Sequence, residues 1–169
     1  MNRIHFIKYT AFSLELVLCF VLQSLPGFRL EVFGGTPVLL LPLVMTIAVY
    51  EREIPAIVFG VAGGLLADGG YSGPMGYYAI TMAILCYVVS ILMEQYIRTS
   101  LLTVMLVGTV SLPLVMFGQF VFFYVAMGYG NVWEYFFAHI LSRIVYTWAM
   151  IPLFYALNRF IAVKTQQDS

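Results

Sequence analysis

The stretch Ile54-Pro-Ala-Ile-Val-Phe-Gly-Val-Ala-Gly-Gly-Leu-Leu-Ala67, closed at once by Asp68, decides how this chain folds. At helical spacing Ala56, Gly60 and Gly64 fall four residues apart on one ridge, and Asp68 is the next step along it. A ridge of small residues lets a second helix approach to backbone contact. An acid that closes such a ridge points into a helix–helix seam and not into lipid, where it would need a partner.

Composition agrees with that reading. The chain of 169 residues is 62% hydrophobic and 9% charged, and its mean hydropathy is +0.95. A soluble domain carries roughly a quarter charged residues. These values describe an all-α integral membrane protein. The formal net charge is zero, so nothing points to nucleic acid. What lies outside the spans is too short for a soluble domain. Residues 1–169 therefore read as a single six-helix transmembrane domain, with 164–169 as a flexible tail. Cys19 and Cys86 sit in apolar stretches and read as small buried hydrophobes. His5 and His139 lie in different regions, so no metal spacing exists and no cofactor is implied.

The predicted spans are Tyr9–Leu25, Thr36–Tyr50, Ile54–Ala67, Met75–Met93, Leu101–Met127 and Tyr135–Leu157. The first follows Arg3 and Lys8 as a signal peptide would. It is longer than an h-region and ends in Leu-Pro-Gly-Phe without a small-x-small site, so it reads as an uncleaved span. The second and third are shorter than the roughly 20 residues a bilayer requires. A re-entrant hairpin would carry Glu51-Arg52-Glu53 toward the bilayer centre at a cost of several kcal/mol, so two true spans are preferred. Arg3, Lys8, Arg52, Arg98, Arg159 and Lys164 then share one side, and Arg29 alone occupies a loop on the other. The positive-inside rule places both termini in the cytoplasm. Pro113 and Pro152 are expected to kink the fifth and sixth spans.

Depth along these spans follows from about 1.5 Å of rise per residue. Gln23, Asp68 and Arg143 come to similar depths, so Asp68 and Arg143 are predicted to form an intramembrane ion pair. His139, one turn from Arg143, and Gln23 and Gln119 are candidate supporting groups. Glu15 lies nearer the cytoplasmic side, with Ser13, Thr46 and Ser90 as candidate partners. Gly69–Gly76 lacks the lysine of a phosphate loop and reads as a turn that needs positive φ. Neither GxSxG nor HExxH occurs, and Ser142 beside Arg143 has no base beyond His139. No catalytic residues are assigned, and the chain is not read as an enzyme.

Several of these segments together resemble a known family. They are Leu22-Gln23-Ser24-Leu25-Pro26, Pro37-Val-Leu-Leu-Leu41, Gly60-Val-Ala-Gly-Gly-Leu-Leu-Ala-Asp68, Gly73-Pro-Met-Gly76, and a last span with Pro152-Leu-Phe-Tyr155 before Asn158-Arg159. The pattern resembles the bacterial rod shape-determining MreD family over nearly the whole chain. That resemblance implies a non-enzymatic inner-membrane component of the cell-elongation machinery, supporting peptidoglycan synthesis and cell shape. It implies binding to the bitopic protein MreC and, through it, links to MreB filaments, RodA and a class B penicillin-binding protein. MreD-like proteins are similar in architecture to the substrate-binding subunits of energy-coupling-factor transporters, which supplies an alternative: a vitamin-binding subunit. Those subunits often carry Ala-x-x-x-Ala in the first span, whereas here Ala11 is followed at i+4 by Glu15. The family supplies no catalytic residues; what carries over is the glycine ridge and Asp68, as structural or interface positions.

Overall fold

The computed structural model describes residues 3–25, 38–70, 76–95, 99–122 and 141–167. The elements among them are all helices: α1 (Arg3–Ser24), α2 (Leu40–Tyr50), α3 (Glu53–Gly70), α4 (Tyr77–Gln95), α5 (Leu101–Phe120), α6 (Leu141–Ala149) and α7 (Ile151–Gln167). Four segments are long and apolar enough to cross a membrane: Phe6–Ser24, Tyr77–Gln95, Leu101–Phe120 and Arg143–Val163. They fall on the predicted first, fourth, fifth and sixth spans. The predicted second span is helical from Leu40 and measures only about 16 Å at 1.5 Å per residue. The predicted third span forms α3, which is longer than expected at both ends. Residues 36–37, 75, 123–127 and 135–140 of the predicted spans lie outside the described residues.

Local sequence sets these boundaries. Pro42 and Pro55 sit in the first turns of α2 and α3, where a missing N–H is tolerated. Pro113 lies inside α5, which continues through it. Pro152 has a stronger effect. It has no N–H to continue the ladder, and the chain tightens just before it, with the Met150 N–H donating to Thr147 O at 3.2 Å. The sixth apolar segment is thereby split into α6 and α7.

α2 is the axis of the molecule. Every residue from Leu40 to Val49 is buried. It touches α1, α3, α4, α5, α6 and α7, and the outer helices adjoin in the order α1, α3, α4, α5, α7 and back to α1. The polarity of the bundle is the reverse of a soluble protein's. Leu106, Val110 and Leu114 form a ridge on α5 that is 67–70% exposed, while Thr46, Asp68, Ser90, Thr147 and Asn158 are buried. In water so large an apolar surface would drive association; in a bilayer it is the face that meets lipid.

Polar contacts tie down one end. The Lys8 ammonium pairs with Glu51 at 2.5 Å and donates to Tyr50 O at 3.3 Å. The Ser90 hydroxyl donates to Glu51 O at 2.8 Å, and Arg52 faces Glu94 at 3.4 Å. The start of α1, the end of α2, the start of α3 and the end of α4 therefore meet at this end, and these helices alternate in direction.

Deeper in the bundle, the Asn158 amide donates to Thr46 Oγ1 at 2.9 Å, and that hydroxyl lies within reach of Pro42 O and Leu43 O. Asn158→Leu should lower the thermal stability of the purified chain by the equivalent of about 1 kcal/mol, the usual net value of one such bond. An unchanged melting temperature in detergent would show that this bond contributes nothing to stability.

Candidate interaction site

The glycine ridge of α3 is pressed against α4. A Cβ at Gly60 would lie 2.9 Å from Met82 O, 3.0 Å from Ala83 Cα and 3.1 Å from Cys86 Sγ. A Cβ at Gly64 would overlap Ala79 Cα, Ala79 N and Tyr78 O. At both positions the nearest atoms are backbone, which cannot yield as a side chain can. Gly60 meets later α4 residues than Gly64 does, so the two helices are antiparallel. Ala56, one turn further back on the ridge, is fully buried. Gly63 faces elsewhere, toward Val44 of α2 and Leu16 of α1. It stands off the i, i+4 series, so the spacing that marks the ridge does not mark it.

Asp68 ends this seam as the cap of the neighbouring helix. Its carboxylate accepts from Gly76 N at 2.9 Å, Tyr78 N at 3.0 Å and Ala79 N at 3.2 Å. The Ile80 N–H donates to Gly76 O at 3.0 Å, which makes Gly76 the N-cap residue of α4. Gly76 has φ +103°, a conformation that favours glycine, and glycine has no side chain with which to cap. The first amides of a helix lack partners within it and carry partial positive charge. An aspartate eight residues earlier, on another helix, satisfies them.

That arrangement differs from the predicted ion pair. The salt bridges among the described residues are Lys8–Glu51 and Arg52–Glu94; Asp68 and Arg143 do not form one. Matching depth constrains two residues along the membrane normal but not around the bundle axis. Arg143 stands on α6, which packs on α5, α7 and α2, and it is half-buried. His139 lies outside the described residues.

Gln119 does enter the site. It accepts from the Tyr78 hydroxyl at 2.6 Å, and Tyr77 of the same turn donates to Val115 O at 3.0 Å. Asp68, the first turn of α4, and α5 are thus linked in series. Gln23 is half-buried in the last turn of α1 and is not among the Asp68 ligands. Glu15 is half-buried on α1, and both of its oxygens are sheltered without a hydrogen bond. Its candidate partners Thr46 and Ser90 donate to backbone carbonyls instead, and Ser13 is exposed.

No family model matches this chain, and no curated protein or solved structure matches it. Among the described residues the structure by itself shows an all-helical arrangement with four apolar segments fit to cross a membrane, organised on a glycine seam that one buried carboxylate closes.

Proposed function

We propose that this chain is a multi-pass scaffold of the bacterial cytoplasmic membrane, of the MreD kind, serving cell elongation by binding a single-span MreC-like protein. In this reading it crosses the bilayer six times with both termini in the cytoplasm, α2 and α3 make the second and third crossings, and the chain is not an enzyme. The observation that carries the proposal is the union of two separated motif segments. Gly60–Asp68 and the glycine at 76 are joined by the Asp68–Gly76 bond and the α3–α4 seam. Residues used to lock two helices together support a role in assembly rather than in chemistry or ligand capture.

The decisive experiment expresses the chain in a rod-shaped bacterium depleted of its own MreD. Restored rod shape, with co-purification of the MreC-like protein, is expected. Persistent rounding without co-purification would overturn the proposal, as would selective binding of a vitamin-sized ligand. Topology is tested separately with single engineered cysteines in a variant lacking Cys19 and Cys86. A cysteine at position 70 should react with an impermeant reagent applied from outside, and one at position 52 should not. Outside labelling at position 52 would reverse the map.

A further inference from the structure

The bundle shelters a second acid and treats it in the opposite way to Asp68. Three backbone amides meet the Asp68 carboxylate. Both oxygens of Glu15 are shielded from solvent, and neither accepts a hydrogen bond among the described residues. We propose that Glu15 is a proton-binding site inside the bundle, whose bound proton keeps charge out of the stripe that packs α1. This inference stands apart from the scaffold reading.

Position is the first argument. Glu15 follows Phe12 by three residues and precedes Cys19 by four, and with Leu16 those two are the buried side chains among those described on α1. At that spacing the carboxyl belongs to the stripe that packs on α2, α3 and α7. It stands inside the apolar segment Phe6–Ser24, seven residues beyond Lys8 and about 10 Å further along the helix at 1.5 Å per residue. That segment has the smallest buried share of the four that are fit to cross a membrane, so this stripe is most of what holds it.

The charged and titratable groups described on these helices supply no donor. On α1, Lys8 serves Glu51 and Tyr50 O, Tyr9 packs on Phe59, and Cys19 is a free thiol. At the end of α2, Tyr50 stacks on Tyr155 of α7, and Arg159 lies beside Tyr50. On α3, Glu53 stands in the first turn and Asp68 is bound to α4. The neutral donors are spent as well, since Thr46 bonds to backbone carbonyls and the Asn158 amide bonds to Thr46. A carboxylate here would have lost water and gained nothing in return, the costly state of a buried charge. A metal ion would need a cage of several oxygens. No group of three His, Cys, Asp or Glu side chains suited to one occurs among the described residues. A proton needs a single oxygen and removes the charge outright.

The test treats the full chain in membranes at pH 7 with dicyclohexylcarbodiimide, an apolar reagent that attacks protonated carboxyls, and locates adducts by mass spectrometry. The expected adduct is on Glu15 and not on Asp68, which its three amides hold ionised. Glu15 unlabelled, or Asp68 labelled in its place, would overturn the proposal. Protection of Glu15 by sodium at fixed pH would give the site to a metal ion and overturn it too. Stability supplies a second readout. The unfolded chain releases the Glu15 proton above about pH 4.3, the ordinary value for a glutamate. The folded chain keeps it, so stability falls as pH rises until the folded site itself loses the proton. Glu15→Gln keeps the shape of the neutral acid and removes the titration. In denaturant titrations in detergent between pH 5 and pH 7, the folding equilibrium of the wild-type chain should fall relative to that variant by up to about tenfold per pH unit. Parallel pH curves for the two proteins would overturn the proposal. Failure of Glu15→Gln to fold would do the same, because the charge would then be what the site requires.

Discussion

Gly64→Leu should abolish or sharply reduce recovery of folded protein, whereas Gly69→Leu, five residues on, should be silent. The two glycines lie on the same helix and differ in what a side chain would meet. At Gly64 even a Cβ overlaps the α4 backbone at Tyr78 and Ala79, so α3 and α4 must separate before any larger side chain fits. At Gly69 nothing stands within 4 Å. Overpacking of a well-filled core typically costs about 1–3 kcal/mol. The obstacle here is backbone, and separation would also pull Asp68 away from the amides it caps, so the upper end of that range is expected. Size-exclusion profile and melting temperature in detergent check the pair. Equal behaviour of the two variants would show that the seam does not depend on close approach. Gly60→Leu should resemble Gly64→Leu in direction with a smaller effect, since its nearest contacts are at 2.9–3.1 Å rather than overlapping.

The seam is legible in the amino-acid sequence because it depends on one periodic property, small residues four apart. The four long apolar helices are legible for a similar reason: length and hydropathy are summed over many residues and survive local detail. α2 is harder to read. Its segment is apolar on every side, and an apolar run does not reveal whether it faces lipid or stands at the centre of a bundle. Burial of all of Leu40–Val49 answers that and puts this 11-residue helix at the centre of the bundle. The predicted spans put Lys8 and Glu51 on one side, but no sequence pattern brings α1 beside the α2–α3 turn, where the two residues meet. The role of Asp68 is half-legible. Its direction into a seam follows from the ridge; its partners do not. Depth and opposite charge select Arg143. The partial charges at a helix start, which no side-chain inventory records, are nearer.

Those partners set the expected behaviour of Asp68 variants. Asp68→Ala removes the acceptor for three backbone amides, two of them in buried bonds. Hydrogen bonds to a charged group are worth about 1.5–3 kcal/mol, and an unsatisfied buried donor costs about 1–3 kcal/mol. A loss of at least about 2 kcal/mol is expected on those values, read as a lower melting temperature and faster hydrogen exchange at the Tyr78 and Ala79 amides. Asp68→Asn keeps one carbonyl oxygen and turns an amino group toward N–H donors, so its loss should be smaller than that of alanine. Arg143 enters as a control. If Asp68 serves the first turn of α4, Asp68→Asn and Arg143→Gln act on separate contacts, and their losses should add to within about 0.3–0.5 kcal/mol. A coupling well beyond that, with the double variant more stable than the sum of the two singles predicts, would restore the ion pair. Hydrogen exchange adds a second readout: if the carboxylate serves α4, Asp68→Ala should speed exchange at the Tyr78 amide and Arg143→Gln should not.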